Sequence, residues 1–143
     1  MGGQTMRVLQ IVLRQPVVHA EDFSALAAIQ PNLVLAFGSV DAIRQGAAAS
    51  APAFPAAIRA GCSTAGEISE NGVEDGALVV TALHFEKTRV AQVSTVLSCM
   101  EDSFASGKRL ATGLPIGGLR AVLILGQGVQ INGSAVLSGM TEI

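Results

Sequence analysis

The sequence predicts an α/β fold in which a mixed, partly antiparallel sheet is layered with helices. Three observations carry that expectation. Asn32–Phe37 and Leu119–Leu125 are short apolar runs stopped by Gly38-Ser39 and by Gly126-Gln127-Gly128, the pattern of strands buried on both faces. Helix-spaced segments alternate with these runs, as layered α/β architectures require. Two β-rich segments, Ala77–Phe85 and Arg89–Leu97, are joined only by Glu86-Lys87-Thr88, and so short a polar link argues for an antiparallel hairpin.

Taken in order, Val8–Leu13 reads as the first strand. Glu21–Ile29 reads as a helix with acidic residues in its first turn, ending at Pro31. Asn32–Phe37 is the second strand. Val40–Ala49 is Ala-rich and helical, with Pro52 and Pro55 interrupting it before a short segment reaching Arg59. From Gly61 the residues are small and turn-forming, including Ser69-Glu70-Asn71-Gly72 and Glu74-Asp75-Gly76, so a loop is expected there. The hairpin follows. Glu101–Leu114 is a helix that Asp102 or Ser103 can cap, Leu119–Leu125 a buried strand, and a last helix starts near Asn132.

Composition narrows the function. The chain has 143 residues, half of them hydrophobic, which suits one domain with a real core. Only 14% of residues are charged and the net charge is -2, so the basic face of a nucleic-acid binder is missing. Aromatics make up 3%, with neither Trp nor Tyr, which removes stacking platforms for bases. No apolar run approaches the roughly 20 residues that span a bilayer, and the N-terminus lacks the order of a secretory leader, so no membrane partner and a cytoplasmic location are expected. Two cysteines, Cys62 and Cys99, without a CxxC spacing give neither a disulfide framework nor a zinc site.

Gly61-Cys62-Ser63-Thr64-Ala65-Gly66-Glu67-Ile68 resembles the signature of the FIST N domain. The context agrees: Pro31–Ser39 is similar to that family's first central strand, Gly72–Gly76 to its following turn, and Leu123–Gly126 with Asn132-Gly133 to its later strand-to-helix junction. The resemblance implies a single, incomplete FIST N domain over residues 1–143. It implies a sensory module that binds a small ligand, an amino acid or similar metabolite, with haem reporting nitric oxide as another ligand of the family. It also implies a signalling partner such as a histidine kinase or a cyclic-dinucleotide enzyme.

The residues give that expectation a location. Gly61 and Gly66 permit close approach and positive φ, while Ser63, Thr64 and the amides around them supply donors without bulk. Phe37, Gly38, Ser39, Gly126 and Asn132 lie where apolar strands end, and ligands of α/β sheets collect outside carboxyl strand ends. The expected ligand-binding set is therefore Phe37–Ser39, Gly61–Glu67, Gly126 and Asn132. Glu67 and Asp75 offer carboxylates to a ligand amine. Haem, were it the ligand, needs an axial donor, for which His84, His19 and Cys62 are the candidates. No other metal site is expected.

No catalytic pattern assembles. Ser63 stands three residues from Gly66, which breaks the Gly-x-Ser-x-Gly elbow, and no Gly-Lys-Ser/Thr follows Gly126. The chain is expected not to be an enzyme. Two alternatives stay open: a non-catalytic scaffold in which Gly61–Ile68 is only structural, and a cysteine-dependent enzyme using Cys62 with His19 or His84 as base.

Overall fold

A computed structural model describes residues 6–14, 18–69 and 72–142; Glu70 and Asn71 of the expected turn lie outside them. The chain divides into two compact units, Met1–Val90 and Ala91–Ile143.

In the first unit, β1 (Met6–Leu13) leads through a 3-10 turn (Ala20–Phe23) into the single-turn α1 (Ser24–Ala27). This helix is shorter than the spacing predicts, because Gln30 takes a left-handed φ of 51° and stops it ahead of Pro31. Next come β2 (Leu33–Gly38), α2 (Val40–Ala53) and β3 (Ile58–Ser63). The small hairpin β4 (Glu67–Ser69) and β5 (Gly72–Glu74) precedes β6 (Leu78–Phe85). Pro52 does not break α2: it falls in the last turn, where the Phe54 N–H still reaches the Ser50 carbonyl at 3.0 Å.

Four strands form one sheet in the order β1-β6-β2-β3. β2 and β3 run parallel, and β6 is antiparallel to both of its neighbours, so the sheet is mixed as the sequence predicts. Alternation sorts the side chains. Val34, Leu78, Val80 and Ala82 face the helices and close a core with Phe23, Leu26 and Phe54. Phe23 and Phe54 meet at 5.5 Å between ring centroids, tilted by 55°. Burial of a side chain such as Leu26 or Leu78 stabilises the unit by about 2–3 kcal/mol.

The expected hairpin of Ala77–Phe85 with Arg89–Leu97 does not form. A strand has two edges, and those of β6 are taken by β1 and β2, so the segment that follows it has no edge to join. Residues 91–98 are instead tied down by a side chain: the Arg109 guanidinium donates to Thr95 Oγ1 at 2.9 Å and to the Val96 carbonyl at 2.8 Å.

The second unit contains a 3-10 turn (Met100–Asp102), α3 (Ser103–Gly113) and α4 (Gly133–Thr141). The two helices touch backbone to backbone: a Cβ on Gly107 would strike the Val136 carbonyl, and one on Gly139 the Phe104 carbonyl. Fully buried Ser103 joins them, its hydroxyl donating to the Met100 carbonyl at 2.6 Å and accepting from the Asn132 N–H at 3.0 Å. Leu119–Leu125 is not the expected strand. Among the described residues, the backbone from 120 to 131 bonds to no other backbone group, and Leu123 is 64% exposed. No helix among the described residues is long and apolar enough to cross a membrane.

Candidate ligand site at the carboxyl ends of two parallel strands

Parallel pairing of β2 and β3 in the register Gly38↔Ser63 brings the ends of both strands to one edge of the sheet. Two of the three predicted segments, Phe37–Ser39 and Gly61–Glu67, therefore meet. Gly61–Ser63 is strand rather than loop, and its inner donors are used by the ladder: the next amide, Thr64 N–H, donates to the Gly38 carbonyl at 2.9 Å. Gly61 is required by close approach, since a Cβ there would collide with the Ala36 carbonyl. Gly38 is equally confined, with a Cβ position only 2.6 Å from the Ala77 carbonyl. Ser39 starts α2, its Oγ accepting from the Ala42 N–H at 3.3 Å. The first amides of that 14-residue helix thus point outward beside Gly38.

Beyond Thr64 the chain turns through Ala65 and Gly66, whose φ of 119° suits glycine. It then enters β4 at Glu67, which is only 2% exposed. The Thr64 hydroxyl donates to Glu67 Oε1 at 2.8 Å, with the Gly38 carbonyl farther off at 3.5 Å. Glu67 Oε2 is buried and, among the described residues, has no hydrogen-bond partner.

Across the hairpin, Glu67 faces a second carboxylate, Glu74. Glu74 has a cation: Arg14, just past β1, donates to both of its oxygens, with Nε at 2.9 Å from Oε2. That hydrogen bond, with the charge attraction behind it, lowers the Glu74 pKa below its ordinary value and raises that of Arg14. Asp75, paired with Glu67 in the sequence reading, is exposed in the turn and does not share its environment.

Arg14 and Glu74 are the residues that sequence reasoning missed. A signal exists in hindsight: Glu67-Ile68-Ser69 and Gly72-Val73-Glu74 are two short alternating runs flanking a turn, which makes Glu67 and Glu74 cross-strand partners.

The remaining predicted residues lie elsewhere. Cys62 and Phe37 sit side by side on the sheet face opposite Ser63. Cys62 is level with Val79, five residues along β6 from His84, or about 16 Å at strand rise. His84 is therefore no base for that thiol. Gly126 and Asn132 belong to the second unit, where Asn132 Oδ1 caps α4 by accepting from the Ala135 N–H at 3.0 Å.

For haem, His84 fits the part of an axial donor in one respect. Its Nδ1 lies 2.6 Å from the Gln30 carbonyl, which can only accept, so in a neutral ring Nδ1 would carry the proton and Nε2 would be the ligating atom. His19 is exposed at the start of the 3-10 turn. A hollow of about 260 Å³ at the amino ends of β2 and β3 is lined by Ala27, Gln30, Ala53, Phe54 and Pro55 among others, and none of its walls is His, Cys or Met.

The family model of the FIST N domain matches residues 32–143, from the start of β2 through α4. No curated protein and no solved structure matches the chain. FIST N domains are sensory modules of signal transduction. With most of its length matched, and with the residues of the signature gathered at one edge of a mixed sheet, the chain belongs to the FIST N domain family.

Proposed function

We propose that the chain is a non-catalytic sensory domain that binds a small polar metabolite, an amino acid or a molecule like it, at the carboxyl ends of β2 and β3. The observation that carries the reading is the convergence of Gly38, Ser39, Ser63, Thr64 and Glu67, distant in sequence, at the end of the sheet where α/β proteins bind ligands. The site is bipolar. The first amides of α2 favour an anionic group, and the Glu67 carboxylate favours a cationic one. Occupancy would change the surface seen by a signalling partner, for which a histidine kinase or a cyclic-dinucleotide enzyme is the natural kind.

Thermal shift against a panel of amino acids and small metabolites tests the reading. A ligand at 100 times its Kd stabilises the native state by about 2.7 kcal/mol, an easily visible rise in melting temperature. Ser63→Ala with Ser39→Gly is expected to weaken that rise. A flat panel would favour the scaffold alternative instead. Because the Gln30 carbonyl engages His84 Nδ1 and leaves Nε2 as the ring nitrogen for ligation, hemin belongs in the panel, and a discrete Soret band that disappears in His84→Ala would select haem as the ligand.

A further inference from the structure

We propose that β1 is the dimer interface of this chain: its outer edge pairs antiparallel with the same edge of a second copy, across a two-fold axis at Gln10. The proposal concerns assembly and does not rest on the sensory reading above.

The sheet ends in β1 on one side and β3 on the other, and the two edges differ. β3 is six residues long and carries Arg59 and Gly61, a charge and a poor strand former, as edges that resist pairing do. β1 is eight residues long and has no Pro, Gly or Lys; its one charge, Arg7, stands near its start. β6 takes one edge of β1 over the whole strand. Among the described residues, no backbone group bonds to the other edge. Met6, Val8 and Leu9 are 42%, 50% and 38% exposed, so apolar side chains flank these amides and carbonyls on both faces. β1 also precedes residue 32, where the match to the family model begins.

The occupant is a second copy because the strand is complementary to itself. A two-fold axis perpendicular to the sheet pairs residues of the same face. Through Gln10, it sets Gln10 opposite Gln10, Leu9 opposite Ile11 and Val8 opposite Val12, polar against polar and apolar against apolar. Moved to Leu9 or to Ile11, the axis would set Gln10 against a valine. In the Gln10 register Arg7–Leu13 of both copies form roughly six to eight backbone hydrogen bonds, within the usual range of about 5–15 for a specific interface. One strand pair is nevertheless a small interface, and a Kd of about 1–100 μM is expected.

Sedimentation velocity of the whole chain from about 1 to 300 μM is expected to show a reversible monomer–dimer equilibrium. Val8→Lys changes a half-exposed side chain and sets a charge against Val12 at both ends of the interface. It is expected to raise the dimer Kd about 10-fold or more and to leave the melting temperature of the dilute chain within about 2 °C of wild type. Cross-linking tests the register. With Cys99→Ser removing the exposed native thiol, Gln10→Cys is expected to form a disulfide between copies on mild oxidation, because opposed residues bring their Cα atoms to about 4.5–5.5 Å. Val8→Cys in the same background is expected to stay largely uncrosslinked, since its counterpart lies about 14 Å away along the strand.

A monomer at every concentration, as an edge reserved for another protein's strand would give, overturns the assignment. So does a dimer as tight in Val8→Lys as in wild type, or cross-linking as fast at Val8 as at Gln10. The cross-linking pair decides the matter if Val8→Lys does not fold.

Discussion

β2 and the stretch Leu119–Leu125 carry the same kind of sequence and meet opposite fates. Each is a short, mostly apolar run followed by glycine: Leu33–Phe37 before Gly38, and Leu119–Leu125, with Arg120 in it, before Gly126. β2 is paired on both edges, by β6 and β3, and Val34 within it is 2% exposed. Leu119–Leu125 has no backbone partner among the described residues, and its leucines at 119, 123 and 125 stay at least 37% exposed. A continuous apolar run states that both of its faces want cover; it does not state which neighbours will provide it. The edges taken by other strands decide that.

The seam that distinguishes β2 is the sharpest place to break this contrast. Gly61→Val puts a branched side chain against the Ala36 carbonyl, a backbone atom that cannot move without unpairing β2 from β3. Denaturant unfolding is expected to show a loss of about 3 kcal/mol or more.

Next in size is a paired truncation. Leu78→Ala removes a side chain that is 1% exposed and opens a cavity, at a cost of about 3 kcal/mol. Leu123→Ala removes one that is 64% exposed and should change stability by no more than about 0.5 kcal/mol. Comparable losses at the two positions would show that Leu119–Leu125 is covered in solution after all.

How much of this was legible follows from the same physics. β1, β2, α2, α3 and α4 stand close to where period and capping residues place them, because those signals are local: Ser39 and Asn132 cap the helices they precede. Strand pairing is not local. The link Glu86-Lys87-Thr88 suits a tight turn, yet β6 had already used both edges on β1 and β2, strands far back in the chain. At the site, the turn glycines and Glu67 were visible in the sequence. The burial of Glu67, and its separation from Asp75 in favour of Glu74, depended on the β4–β5 register, which a run of small residues does not announce.

The smallest effect lies in the second unit, where side chains do the fastening that a ladder does in the first. Asp102 is held well below the ordinary carboxylate range, mainly by hydrogen bonds from Arg109 and then by the Ser98 N–H and hydroxyl. A depressed folded pKa means a contribution that is complete above the unfolded value of about 3.9 and fades as pH falls below it. Melting curves of the wild type and Asp102→Asn should differ by a constant amount from pH 5 to 7 and converge below about pH 4.

Chemical-shift mapping of the ¹⁵N-labelled chain with the metabolite that the panel identifies tests the placement of the site most directly. The account predicts saturable shifts concentrated at Phe37–Ser39 and Ser63–Glu67, weakened in Ser63→Ala with Ser39→Gly. Shifts concentrated instead around Gln30 and Ala53–Ala57, the hollow at the other end of the same strands, would contradict it.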